Sequence, residues 1–320
     1  MHPAGLRAAG QDGGDEPLSF GFLDTVPGER ISIGPMRLHL DCREADRPPG
    51  TVEADESPAH GPTVLFEAGL GGSSLEWWPV ADRIDSAARF CVYDRAGYGW
   101  SDPSRQPRHA LRLAYELDRL LAVAGIDGPL IVVAHSFGGF VARLLAERRD
   151  DIAALVLLDS SHEEQLERLE TPGGRLMMPR GGGQFVVSGN QAPENLPRKL
   201  RRKVAALNRM RKTYSAIHGE MSAFRESAEQ VRAARARRGE PFPFPVTVVR
   251  RGRDLYADRT DGAERTAVWI ELQEDLAEIG RPGRLVIAEG SGHHLHADDP
   301  SLVAAEIERL LEPLVAEGRR

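Results

Sequence analysis

The sequence has few of the features that define several protein classes. Its two cysteines, Cys42 and Cys91, are too few for a disulfide scaffold or a thiolate zinc site, and they favour a reduced, cytoplasmic setting. No apolar run reaches 18 residues and the mean hydropathy is -0.36, so we expect no membrane-spanning helix. The N-terminal segment lacks the apolar stretch of a secretory signal.

Lysine is also scarce, since three of the 41 basic residues are lysine and the others are arginine. The 48 acidic residues give a net charge of -7, which argues against nucleic acid as the main partner. Hydrophobic residues make up 41% of the chain and charged residues 28%, a composition that supports a sizeable folded core.

Short apolar runs alternate with helical patterns along most of the 320 residues. This order predicts an α/β fold: a mostly parallel central sheet, with buried strands and with helices on both faces. We expect a mobile leader over 1–17 and a long exposed connection over 43–61. The predicted strands are 36–42, 63–66, 90–93, 130–134, 154–158, 246–249 and 285–288; the predicted helices are about 108–124, 138–148, 264–279 and 301–314.

Residues 160–245 interrupt this alternation and divide the predicted core into 18–159 and 246–320. The segment has a glycine-rich piece at 179–183, then an apolar stripe at helical spacing from Leu200 to Val231, with a break expected near Gly219. We expect a helical lid over a substrate pocket. Four residues of the stripe are the predicted pocket wall: Met210, Tyr214, Met221 and Phe224.

The inserted segment is also strongly basic, with 13 basic and three acidic residues between 198 and 238. One interpretation is a solvated helix face that the acidic core partly neutralises. The other is a steering surface, centred on Arg201, Arg202 and Lys203, for an anionic or carrier-bound substrate.

A serine stands between a predicted buried strand and a predicted helix, in the sequence LIVVAHSFGG of residues 130–139. Ser136 has the small residues Ala134 and Gly138 on either side, in the pattern of a nucleophile elbow. Such a turn exposes the serine hydroxyl and brings the Phe137 N–H, at the start of the helix, near a developing oxyanion.

Together with its flanking blocks, this motif resembles the α/β-hydrolase superfamily, in its serine-nucleophile branch, over about residues 36–318. EAGLGGSS at 67–74 resembles the oxyanion-hole loop, and the resemblance implies that the Leu70 N–H is the second oxyanion donor. YDRAGYGWSD at 93–102 matches the loop after the next strand. We interpret that block as mainly structural, with Asp94 capping its turns.

The resemblance also assigns a catalytic histidine near the C-terminus. In GSGHHLHADDP, residues 290–300, His293 lies five residues before Asp298, at the position of the family's catalytic base. A serine needs such a base because its hydroxyl is a weak nucleophile until imidazole takes the proton. His294 and His296 are the rival bases. The H-H-x-H spacing fits no reliable zinc pattern, so we predict no metal site.

The third member of the triad is less defined by the sequence. Asp254 follows the strand after the insertion and is the predicted acid, on its spacing of nine from Pro245. Asp159, after the preceding strand, is the alternative, and it could instead be an ordinary turn carboxylate. Asp258 is a third option. The acid would hold the histidine tautomer and stabilise imidazolium.

The identity of the elbow residue separates branches of the superfamily. Haloalkane dehalogenases and epoxide hydrolases resemble the 93–102 block but have aspartate at the elbow, whereas Ser136 implies an acyl-enzyme route. We therefore expect a carboxylesterase acting on a small-molecule acyl substrate without a cofactor. A thioesterase, acyl transferase, lactonase or C–C bond hydrolase would use the same triad. The alternative of another class is a non-catalytic binding protein with this fold.

Overall fold

The structure is a computed structural model that describes residues 26–44, 61–84, 88–169 and 192–317. The expected leader, most of the connection over 43–61 and the glycine-rich piece at 179–183 lie outside these ranges. Across the described ranges, no helix is both long and apolar enough to cross a membrane.

The described strands form one eight-stranded sheet in the order β1-β2-β4-β3-β5-β6-β7-β8. Strands β3 to β8 are parallel to one another, whereas β2 is antiparallel to both β1 and β4. All seven predicted strands are present, which confirms the fold class. The bounds are β1 Glu29–Ser32, β2 Arg37–Arg43, β3 Thr63–Glu67, β4 Arg89–Asp94, β5 Leu130–His135, β6 Ile152–Leu158, β7 Val246–Arg251 and β8 Gly283–Ala288.

Helices cover both faces of the sheet. Side chains alternate along each strand, so Leu65 of β3 packs in one apolar cluster and its neighbours Val64 and Phe66 in the other. Helices α2, α3 and α7 contribute to the first cluster, and α1, α5 and α10 to the second. The helices are α1 Trp78–Ala81, α2 Ala110–Val123, α3 Gly138–Ala146, α4 Gln165–Leu169, α5 Arg198–Asn208, α6 Arg211–Ser222, α7 Phe224–Arg238, α8 Gly262–Ala277, α9 Leu295–Asp298 and α10 Pro300–Glu317.

The apolar stripe of the insertion forms three successive helices, α5 to α7. The helical structure is interrupted at residues 209–210 and at Ala223, and not at Gly219, which lies inside α6. A Cβ atom on Gly219 would lie 2.7 Å from Cγ of Arg108, so glycine allows α6 to approach the core closely here. The expected break at Gly219 was therefore wrong, because this glycine serves packing.

The two cysteines form a disulfide between neighbouring strands. Cys42 of β2 and Cys91 of β4 are opposite each other in the antiparallel register, with Cα atoms 4.1 Å apart. The expectation of reduced cysteines is therefore not met, because the β2–β4 pairing brings together two residues 49 positions apart. The cytoplasmic location stays a prediction.

The 93–102 block has the structural role expected of it. The Asp94 carboxylate accepts hydrogen bonds from the Ser74 N–H at 2.8 Å and the Trp100 N–H at 3.0 Å, so it caps two turns beside the sheet. Gly99 has a φ of +43°, and a Cβ atom there would lie 1.9 Å from Asp94 Oδ2. Only glycine fits this position.

Candidate active site

Ser136 lies in a strained turn between β5 and α3. Its φ of 53° is in the left-handed region, which non-glycine residues adopt rarely and at an energetic cost. A Cβ atom on Gly138 would lie 2.6 Å from the Ala68 carbonyl oxygen. The small residue two positions after Ser136 therefore lets the start of α3 contact the loop after β3.

The side chains of Ser136, His293 and Asp159 follow three different strands of the parallel sheet and meet at its carboxyl edge. The hydroxyl of Ser136, after β5, is 3.0 Å from Nε2 of His293. Nδ1 of His293, after β8, is 2.7 Å from Oδ2 of Asp159, after β6. The order hydroxyl, imidazole, carboxylate is the geometry that activates a serine nucleophile.

The Asp159 carboxylate is buried and bound on several sides. Arg251 Nη1 donates to Oδ2 at 2.6 Å, and the Trp269 indole N–H donates to Oδ1 at 2.9 Å. Burial alone would raise the pKa of Asp159, but the hydrogen bonds and charges of His293 and Arg251 outweigh it and hold the pKa below its usual value. Asp159 is therefore an anion that can stabilise imidazolium.

Asp254 does not reach His293, so the assignment of the acid to Asp254 was wrong. Its carboxylate is exposed and accepts hydrogen bonds from the Tyr256 N–H at 2.7 Å and the Thr266 hydroxyl at 2.6 Å. This local turn directs the carboxylate to α8. Asp258 is exposed as well, and the alternative acid, Asp159, occupies the position beside the histidine.

The other histidines surround His293 without facing Ser136. His294 is exposed, and His296 is buried with Nε2 3.4 Å from Glu76. His135 donates its Nε2–H to the backbone carbonyl of His293 at 2.8 Å. Burial, and then the neighbouring histidines, hold the pKa of His135 well below its usual value, so it is a neutral donor. Among the described residues, no three His, Cys, Asp or Glu side chains form a metal-binding group.

The predicted oxyanion loop lies directly against the elbow. A Cβ atom on Gly69 would be 2.6 Å from His135 Nδ1 and 3.2 Å from Ser136 Cβ, so the peptide that leads to Leu70 borders the serine. Phe137 is the N-cap residue of α3. The assignment of the Leu70 and Phe137 N–H groups as oxyanion donors stays a prediction from the family resemblance.

Two predicted pocket residues lie near the two residues assigned as oxyanion donors. Met221 of α6 packs in a cluster that includes Leu70. The Phe224 ring is 5.7 Å from that of Phe137, measured between centroids. Helix α6 therefore packs beside the oxyanion loop, and α7 packs beside Phe137 of the elbow.

The other two predicted pocket residues are placed differently. Met210 packs against the second core cluster, and Tyr214 is half-buried. A cleft of about 490 Å³ opens between residues 96–108 and α6, but neither residue lines it, nor does Ser136. The four predicted wall residues therefore do not surround this cleft.

Part of the basic charge of the insertion is neutralised by acidic residues outside α5 to α7. Arg232 pairs with Glu167 at 2.9 Å, Arg235 pairs with Asp275 at 2.5 Å, and Arg238 pairs with Glu147. These contacts agree with the interpretation of a partly neutralised face for α7. The steering surface over 201–203 stays a prediction.

Sequence reasoning missed four side chains at this site. Arg251 and Trp269 bind the Asp159 carboxylate, His135 binds the backbone of His293, and Arg95 binds the backbone of the oxyanion loop. Arg95 is 4% exposed and donates to the Gly69 carbonyl at 2.8 Å. The motif that contains Arg95 was identified, but the partner of the arginine depends on how two separate loops meet. The available signal was an arginine directly after the end of β4, a strand whose residues are all buried.

Comparison with known proteins identifies the family of the chain. The family model for the alpha/beta hydrolase fold matches residues 62–300, and the chain belongs to this family. A protein from Gibberella zeae named "AB hydrolase superfamily protein" is 27% identical over 325 residues, covering 91% of this chain and 97% of its own length.

Solved structures of low identity share the fold. Cfl2 from Burkholderia cenocepacia has a TM-score of 0.65 at 19% identity, covering 88% of this chain and 94% of its own. An epoxide hydrolase named CorEH has a TM-score of 0.62 at 16% identity, covering 89% and 98%. The family and its hydrolase-named relative support a hydrolase.

Proposed function

We propose that the protein is a serine hydrolase that cleaves a carboxylic ester through an acyl-enzyme intermediate. The observation that carries this proposal is the hydrogen-bonded chain from Ser136 through His293 to Asp159, with distances of 3.0 and 2.7 Å. A buried carboxylate on one imidazole nitrogen and a serine hydroxyl on the other is the arrangement needed for nucleophilic acyl transfer.

In the proposed mechanism, Ser136 Oγ attacks the ester carbonyl carbon while its proton moves to His293 Nε2. The carbonyl oxygen becomes an oxyanion, which accepts hydrogen bonds from the Leu70 and Phe137 N–H groups. His293 then gives its proton to the departing alcohol, and the acyl group remains on Ser136. Water attacks this ester by the same route, and His293 returns the proton to Ser136 Oγ as the carboxylic acid leaves.

The residue at the elbow favours this chemistry over epoxide or haloalkane hydrolysis, for which the resemblance implies an aspartate nucleophile. Ser136 cannot form the alkyl-ester intermediate of a carboxylate nucleophile, but it forms acyl esters readily once His293 removes its proton. A thioester or lactone would be attacked at the same carbonyl position. A binding protein without catalysis would need neither the contact with His293 nor a buried anion behind it.

The contacts of the insertion support its role as a lid. Helix α6 packs on Leu70 and Tyr98 through Ala216, Ile217 and Met221. Helix α7 begins at Phe224, whose ring also lies 5.4 Å from that of Phe140. Since these helices lie against the two proposed oxyanion residues, we infer that they limit which acyl groups reach Ser136.

A fluorophosphonate probe and a substrate panel test the proposed function together. We expect the probe to label Ser136, and hydrolysis to appear with p-nitrophenyl esters in a panel that also holds acyl-thioesters and lactones. The reason is that the probe phosphorus reacts with a serine hydroxyl that a neighbouring base activates, as His293 is proposed to do for Ser136. Absence of labelling in folded protein would support the binding protein instead.

A further inference from the structure

An arginine that takes no direct part in the proposed chemistry binds backbone carbonyls of the oxyanion loop. Arg95, the residue after β4, donates from Nη1 to the Ala68 carbonyl at 2.5 Å and from Nη2 to the Gly69 carbonyl at 2.8 Å. It also contacts Glu67. One rigid guanidinium therefore holds two successive carbonyls of the loop beside Ser136.

The Gly69 carbonyl and the Leu70 N–H belong to the same peptide unit. A trans peptide is planar, and its C=O and N–H bonds point in opposite directions. A cation on the carbonyl oxygen therefore fixes the direction of the N–H. The charge also polarises the amide, which makes its N–H a stronger donor. The Gly72 N–H donates to the same oxygen at 3.2 Å and tightens the turn.

Arg95 is held in turn by a glutamate of the insertion. Glu220 of α6 is fully buried and accepts from Arg95 Nε at 3.1 Å and from Nη2 at 3.0 Å. It also accepts from Arg108 at 2.8 Å and from the Tyr98 hydroxyl at 2.8 Å. Burial alone would raise the pKa of Glu220, but the charges of Arg95 and Arg108 outweigh it and lower the pKa.

We propose that Arg95 is a positioning residue that aims the Leu70 N–H, and that Glu220 holds Arg95 in place. This inference rests on the proposed ester hydrolysis. It joins the insertion to the oxyanion loop through buried charges, which are costly to separate because each would lose its partner. The geometry of the oxyanion hole therefore depends on how α6 packs.

The kinetic test uses Arg95→Lys and Glu220→Gln, with Arg143→Lys as the matched control. Arg143 is also a buried arginine that binds a glutamate with both terminal nitrogens, Glu163 at 2.7 and 2.9 Å, but it does not contact the loop.

Losing one oxyanion donor outright costs about 10²- to 10³-fold in kcat, so misdirecting it through Arg95→Lys should cost about 10- to 100-fold. KM should stay within about threefold, since the donor acts mainly on the transition state. Glu220→Gln should lower kcat by less.

A readout that does not need activity is the Leu70 amide itself. The sequence has two Gly–Leu peptides, 5–6 and 69–70, so carbonyl-¹³C glycine and ¹⁵N leucine labelling gives two HNCO cross-peaks. Leu6→Met assigns them by removing one. We expect the Leu70 peak to move in Arg95→Lys and Glu220→Gln and to stay in Arg143→Lys, while the Leu6 peak stays in all three.

Two results would overturn the proposal. One is a Leu70 peak that is unchanged in both variants. The other is a kcat loss in Arg143→Lys equal to that in Arg95→Lys, which would indicate a general effect of disturbing buried ion pairs. If Arg95→Lys does not fold, Glu220→Gln alone decides through the same peak. Failure of the proposed function is distinguishable, because wild-type protein would then neither hydrolyse esters nor take the fluorophosphonate label.

Discussion

Ser136→Ala should lower ester hydrolysis by about four to six orders of magnitude. The hydroxyl that it removes is the atom 3.0 Å from His293 Nε2, and the structure provides no other serine hydroxyl on that nitrogen among the described residues. The fold should survive, because alanine is smaller and meets the same backbone strain at this φ. Circular dichroism and thermal melting check the fold, and initial rates with a p-nitrophenyl ester check activity.

Ser161→Ala is the matched control for this variant. Ser161 is also buried, and it contacts the elbow through its backbone N–H, which donates to the Ser136 carbonyl at 3.0 Å and which alanine retains. This variant should keep its activity within about twofold, as expected for loss of a hydroxyl outside the reacting chain. Wild-type rates in purified Ser136→Ala, free of contaminating esterase, would contradict the assignment.

Asp159→Asn should lower kcat by about 10⁴-fold, whereas Asp254→Asn should change it by less than about twofold. The asparagine amide is neutral and can present an N–H to His293, which would favour the wrong tautomer and remove the charge that stabilises imidazolium. Asp254 has its hydrogen bonds with Tyr256 and Thr266, on the exposed side of the loop after β7. Steady-state kinetics on both variants compares the two carboxylates directly.

The stability of these variants should differ too. Asp159→Asn leaves Arg251 buried without its anion, so its melting temperature should fall, and kinetics must be measured below that temperature. Asp254 is exposed, so its variant should melt close to the wild type. A severe loss in Asp254→Asn with little loss in Asp159→Asn would mean that the loop after β7 supplies the acid when substrate binds.

The strands that could be predicted are those buried on both faces. Each gives a continuous apolar run, as in 130–134, because a central parallel strand meets helices above and below. The edge strand β1 was missed because its four residues are exposed or half-buried and include Glu29 and Arg30. An edge strand has no requirement for an apolar run, so the sequence carries little signal for it.

The residues of the candidate site that depend on local motifs could be predicted, whereas those that depend on distant contacts could not. Ser136 and His293 follow from local motifs, since each depends on a strand and the turn after it. Asp159 and Asp254 follow the adjacent strands β6 and β7, and both lie near the edge where His293 arrives. The choice depends on where each turn directs its carboxylate: Asp159 has a φ of 39°, and Asp254 closes a turn on itself. Spacing along the chain does not encode these directions.

The sequence carries no signal that identifies contacts between distant segments. Arg95 and Glu220 are 125 positions apart, and Asp159 and Trp269 are 110 apart. The pairing of Cys42 with Cys91 requires the register of an antiparallel strand that enters the sheet beside β4. Such partners are set by the packing of whole elements, so only the assembled fold reveals them.

The most direct test of the central claim is intact-protein and peptide mass spectrometry on Asp159→Asn after brief exposure to an activated ester. An activated ester has a good leaving group, so it should acylate Ser136 in this slow variant faster than water removes the acyl group, and the acyl-enzyme should accumulate. We expect one added acyl group, located on Ser136 and lost on longer incubation, with a matching burst of alcohol release. Hydrolysis with no adduct, or an adduct on another residue with Ser136 unmodified, would contradict it.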